Sequence, residues 1–136
     1  MKTTADAAPE EIWRLFVDVE RWPEMSQSTS EVRRLDTGPL RTGSEYMVRQ
    51  PGLRKARWRV TAVDPGRSFT AEAAFTGMTS VAGHVVEPSG PGSVITISIR
   101  TKGPLGGFVG ALLSRRALRS ITTEMEGFRR TAEAAH

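Results

Sequence analysis

The chain has 136 residues, a formal net charge of +4 at neutral pH and no cysteine. That length fits one domain, taken as 1–136, whose core has room for a cavity; the missing cysteines exclude disulfides, thiol catalysis and cysteine-ligated zinc. No apolar run reaches the length of about 18 residues that a membrane span needs, and the opening MKTTADAAPEE lacks the apolar centre of a signal peptide, so integral membrane association is not expected and the expected location is the cytoplasm.

A short strand is predicted at 3–5. Pro9 suits the first position of a helix, where its missing N–H is not needed, and Glu10 and Glu11 favour the positive end of the dipole. Ile12, Leu15, Phe16 and Val19 then make one apolar face with Trp13 beside it. The segment DVERWPEM, 18–25, reads as a second short helix or turn, in which Pro23 biases Trp22 toward an extended backbone. Trp13 and Trp22 are assigned to packing of these two small elements.

From 29 to 101 the pattern changes to period two, which predicts strands at 29–35, 43–50, 56–64, 68–76, 78–87 and 93–101. They are separated by turn residues such as Asp36-Thr37-Gly38-Pro39, Asp64-Pro65-Gly66 and Ser89-Gly90-Pro91-Gly92. Alternation sets Tyr46, Val48 and Gln50 on one face, then Trp58, Val60 and Ala62, then Phe69, Ala71, Ala73 and Phe75, then Ser80, Ala82, His84 and Val86.

The last element is a helix over 106–134, roughly 40 Å long at 1.5 Å per residue. Leu113, Ala117, Ile121, Met125, Phe128 and Ala132 form its apolar stripe, with Arg115, Arg116, Arg119, Arg129 and Arg130 on the wet side. Leu105, Phe108, Val109 and Leu112 form a separate apolar set pointing elsewhere. Gly103, Gly106, Gly107 and Gly110 lie among them, and glycine costs about 1 kcal/mol per helical position relative to alanine. A loose or bent first section follows, with 105–110 as an entrance lid.

Six strands joined by short turns make an antiparallel meander with one apolar face, and the terminal helix is the only long amphipathic element left to cover it. A curved sheet wrapped around one helix is the expectation. Small inward residues, Ala62, Ala71, Ala73, Ser80 and Ala82, leave volume beneath the helix and so predict a pocket.

The order of two small helices, six strands and a long helix carries further marks: PEEIW and DVERWPEM near the start, WRVTAVDPGRSF in the middle, HVVEP before a turn and GPLGG where the last helix begins. Together these resemble the SRPBCC superfamily of START-like, Bet v 1-like helix-grip proteins, and within it the branch named polyketide cyclase/dehydrase and lipid transport. The resemblance implies an α+β helix-grip fold, a curved seven-stranded antiparallel sheet with a short first strand and a cavity for a hydrophobic ligand. The chain departs from the family's pattern at Met25, where relatives often carry tryptophan.

Chemistry-bearing residues are few. His84 and His136 are the only histidines, and no ligand cluster with metal spacing appears, so neither metal nor cofactor is expected. GPLGG does not fit a phosphate-binding loop. Alternation places His84 on the concave face, as an acid or base or as a structural histidine bonded to a backbone carbonyl or hydroxyl. Glu124 lies at the rim of the helix stripe with Tyr46 facing it, as a buried carboxylate or a snorkelling surface one. Tyr46, Trp58, Phe69, Phe75 and Phe108 are the candidate aromatic lining. Val48, Val60, Ala71, Ala82, Leu112 and Ile121 are the candidate aliphatic lining, and Gln50 supplies an orienting amide.

Two functions of different class follow. The first is binding of a hydrophobic or aromatic small molecule, polyketide- or lipid-like, by a monomer or homodimer. The second is a polyketide cyclase or aromatase in which His84 or Glu124 takes an α-proton and Tyr46 hydrogen-bonds the enolate. A third, an interaction module on the basic outer face, ranks last. The arginines are scattered and do not interleave with aromatics as a base-stacking platform does, so no nucleic-acid partner is expected.

Overall fold

Alternating side chains and turn glycines produce seven strands: β1 (Lys2–Ala5), β2 (Glu31–Arg34), β3 (Glu45–Arg49), β4 (Ala56–Asp64), β5 (Ser68–Phe75), β6 (Met78–Ser89) and β7 (Gly92–Lys102). The structure is a computed structural model and describes residues 1–27, 29–51, 55–75, 77–103 and 106–134, without the side chains of 106–118 and 120. The strands form one sheet in the order β1-β7-β6-β5-β4-β3-β2, so β2 to β7 are a meander and β1 closes its far edge. Every pairing is antiparallel. The turn between β4 and β5 closes with Arg67 N donating to the Asp64 carbonyl at 3.0 Å, and Gly66 there has φ 79°, a value that favours a residue without a Cβ.

One strand breaks the expected alternation. Val60 pairs with Ala71, but the next pairs are Ala62 with Thr70 and Val63 with Phe69, so Thr61 is an inserted residue. Such a bulge reverses the facing of everything beyond it. Ala62 is therefore exposed, against the inward placement expected from period two, and Val63 packs on the core instead.

The helices are α1 (Pro9–Val17), a 3₁₀ turn (Val19–Arg21), α2 (Trp22–Met25) and α3 (Gly106–Ala134). Proline opens α1 and Glu10 and Glu11 occupy its first turn, while Ile12 and Phe16 are its buried face. Trp22 is helical, at φ −54° and ψ −38°, not extended. It begins α2 with Pro23 next, and a proline in the first turn loses no hydrogen bond.

The described part of α3 buries Ile121, Met125, Phe128 and Ala132 and packs on β7, β1, α1 and α2. Gly127 lets α3 approach α2 closely: a Cβ there would run into the Met25 carbonyl oxygen. Leu105 and the side chains of Phe108, Val109 and Leu112 lie outside the described residues, and with them the expected lid; the backbone of 106–134 is one helix. Among the described residues no helix is long and apolar enough to cross a membrane.

Candidate functional site

The register of β5, β6 and β7 sets Phe69, His84 and Ile97 in one row across the concave face. All three are buried, His84 at 3% exposure. The imidazole lies flat on Phe69, with ring centroids 4.6 Å apart and planes 7° from parallel. Trp22 lies tilted over it at 5.2 Å, and Phe16 and Phe128 meet it edge-on at 5.4 Å and 6.2 Å. Four rings from β5, α2, α1 and α3 thus fix the plane of one imidazole.

Its hydrogen bonding is one-sided. His84 Nε2 lies 2.8 Å from Oε1 of Glu124, while Nδ1 is buried with no partner among the described residues. A carboxylate only accepts, so the proton belongs on Nε2, which donates to Glu124 and leaves an unmet acceptor at Nδ1 instead of an unmet N–H. The partner is a side-chain carboxylate, not the backbone carbonyl or hydroxyl expected of a structural histidine. Glu124 keeps 16% of its side chain exposed against 4% for His84, so the glutamate is the solvent-facing member of the pair and the ring is the sealed one.

Tyr46 is the third member. It is 2% exposed, and Trp22 meets its ring edge-on at 5.9 Å. Burial pushes its phenol well above the ordinary tyrosine value, and the negative charge of Glu124 pushes it further. Tyr46 therefore remains a hydroxyl donor throughout the neutral range. The structure brings His84, Glu124 and Tyr46 into one cluster, two of them through alternation and the third through the helix stripe.

The other expected lining residues divide. Val48, Val60, Ala71 and Ile121 are buried in the apolar core. Trp58 is half-buried, packs against that core and is paired in register with Tyr46. Ala82 is half-buried on β6. Gln50 is half-buried just past the end of β3, where pairing no longer fixes its face. Phe75, at the last position of β5, is 46% exposed. Phe108 and Leu112 have no described side chain.

Sequence reading passed over Trp22, Phe16 and Phe128 as parts of the site. Phe16 and Phe128 were visible as members of apolar faces, and Trp22 serves the site as well as the small helices. Arg34 was also missed: it pairs in register with Tyr46, and its terminal nitrogens bind Asp36 and the Gly38 carbonyl.

Exposure of the concave face varies within the rows that follow. The row of Phe69, His84 and Ile97 is sealed, whereas in the next row Ala82 is half-buried and Ile99 is 40% exposed. Within that next row Val60 and Ala71 are closed, so the partly exposed apolar positions are Ala82 and Ile99 on β6 and β7. Among the described residues no group of three or more His, Asp or Glu could hold a metal ion.

The profile of the family described as polyketide cyclase / dehydrase and lipid transport matches residues 1–133. No curated protein matches the sequence. Among solved structures, StfQ, a di-domain ARO/CYC from the steffimycin biosynthetic pathway, aligns with a TM-score of 0.79 at 12% identity over 99% of this chain; the chain spans 50% of that protein. Ara h 8.0201 aligns at 0.68 with 14% identity over 96% of this chain and 95% of its own. TTHA0849 from Thermus thermophilus aligns at 0.71 with 20% identity over 99% and 96%. At these identities the likeness is one of fold.

Proposed function

The chain belongs to the polyketide cyclase/dehydrase and lipid transport family, and from that premise we propose that it binds a small hydrophobic or aromatic molecule between the concave sheet face and α3. Glu124 and Tyr46 meet the polar end of the ligand, and the half-buried Trp58 and Ala82 form the apolar wall, backed by Val60 and Ala71 in the core. The observation that carries this reading is Glu124, its carboxylate anchored by a buried imidazole at 2.8 Å while its side chain is still 16% exposed. A buried ionisable pair is often no more stabilising than apolar side chains of the same volume, so its presence on the face that carries the partly exposed Ala82 and Ile99 favours recognition over packing. His84, with Nε2 engaged and Nδ1 sealed, holds Glu124 in place from behind.

Native mass spectrometry of protein purified from its host tests the reading. A retained small molecule that departs on denaturation is the expected result. Saturable quenching of tryptophan fluorescence by an added hydrophobic ligand is the second expected result, because Trp22 and Trp58 flank the cluster. A protein that arrives empty and shows no saturable quenching overturns it.

The same pair favours a second reading, a cyclase- or aromatase-type enzyme. Glu124 would take the α-proton of a bound ketone, His84 would position its carboxylate, and the Tyr46 hydroxyl would donate to the forming enolate oxygen. Turnover of a poly-β-ketone that survives both Glu124→Gln and Tyr46→Phe removes this reading and leaves the binding one intact.

A further inference from the structure

Given ligand binding at this site, we infer that it selects hydrophobic molecules ending in a neutral hydroxyl and rejects those ending in a carboxylate, fatty acids among them. Selectivity follows from which polar groups face the ligand. Of the described strand residues on the concave face, the ionisable ones are Arg34, Tyr46 and His84, and α3 adds Glu124. Arg34 is not a free cation. Its terminal nitrogens bind Asp36 and the Gly38 carbonyl, and its Nε is sealed from solvent. His84 is already engaged with Glu124.

Among the described ionisable groups of this face, what remains for a ligand is one acceptor and one donor. Glu124 accepts. Tyr46, held in its protonated form by burial and by the Glu124 charge, donates. A ligand hydroxyl satisfies both at once, giving its proton to Glu124 and taking the Tyr46 proton on a lone pair. A ligand carboxylate only accepts, so it satisfies Tyr46 and sets a second negative charge against Glu124, where two carboxylates cannot both stay ionised without penalty. An ammonium head group suffers no such repulsion.

The test is calorimetric titration of the full chain at neutral pH with decanol, decanoate and decylamine, and with 1-naphthol and 1-naphthoate. The hydroxyl compounds are expected to bind about tenfold or more tighter than the matching carboxylates. Part of that gap reflects the stronger hydration of any carboxylate, so two comparisons decide. Glu124→Gln is expected to narrow the gap to about threefold by tightening the acids. In the unaltered protein decylammonium, itself strongly hydrated, is expected to bind tighter than decanoate, and this comparison stands even if Glu124→Gln does not fold.

A gap unchanged by Glu124→Gln, or decanoate matching decylammonium in the unaltered protein, overturns the selectivity and leaves ligand binding standing. Absence of heat with every compound overturns the binding reading itself and the selectivity with it.

Discussion

Nε2 of His84 and Oε1 of Glu124 stand 2.8 Å apart and tie β6 to α3 across 40 residues of sequence. Four aromatic rings enclose the His84 end of this bond, so water does not easily replace the imidazole. Glu124→Ala leaves both nitrogens of a buried imidazole without partners and should lower the unfolding free energy by about 2–4 kcal/mol. His84→Phe with Glu124→Leu removes both polar groups and should recover most of that loss. Urea unfolding of the single and double variants checks this, with a coupling of about 1–3 kcal/mol expected; additive effects would mean the two side chains do not meet.

The loop between β2 and β3 makes a separate prediction at acid pH. Burial raises the pKa of Asp36, but the hydrogen bond from Ser44 at 3.0 Å and the charges of Arg34 and Arg41 outweigh it, and the net shift is downward. A folded-state pKa below the unfolded one contributes stability that is present above the unfolded value, about 4, and is lost as pH falls through the folded value. Melting temperatures of Asp36→Asn should therefore lie below those of the unaltered protein at pH 6 and converge with them below about pH 4. The separation is expected to be small because the group is near the surface.

How much of this was legible follows from which signals are local. Period two and turn residues gave six strands in the right order because each strand carries its own pattern. The Thr61 bulge inserts a residue with no turn signal, so Ala62 was set on the wrong face. Pro23 argued for an extended Trp22 as a statistical rule, and the short α2 overrode it. His84 was placed inward by alternation and Glu124 at the stripe rim by helical angle, each alone. Their meeting depends on where along 29 residues α3 crosses β6, and no periodicity encodes that crossing point. The aromatic enclosure of His84 was hidden for the same reason, since Phe16, Trp22, Phe69 and Phe128 come from four elements.

Gly127 offers a test of how α3 is seated. In an exposed helix the change to alanine would stabilise by about 1 kcal/mol through propensity. Here the added methyl meets the carbonyl oxygen and carbon of Met25, which are backbone and cannot rotate away. Overpacking should dominate, so Gly127→Ala is expected to destabilise by about 1–3 kcal/mol. Gly127→Ala melting above the unaltered protein would show that α2 yields and that the close approach is not fixed.

Tyr46 is the only tyrosine of the chain, so the ultraviolet phenolate band reports on it alone. Burial, and then the Glu124 charge, raise its folded pKa far above the unfolded value of about 10. The unfolded chain releases that proton first, so stability is full below about pH 10 and declines as pH rises beyond it. No phenolate band should grow in before the fold is lost, and its appearance should coincide with loss of the near-ultraviolet circular dichroism of the tryptophans. Tyr46→Phe keeps the ring against Trp22 and deletes the titrating group, so its alkaline stability should be flatter than that of the unaltered protein. A phenolate band rising near pH 10 while the dichroism persists would place the hydroxyl in water, and would remove Tyr46 from the donor role that the ligand selectivity requires.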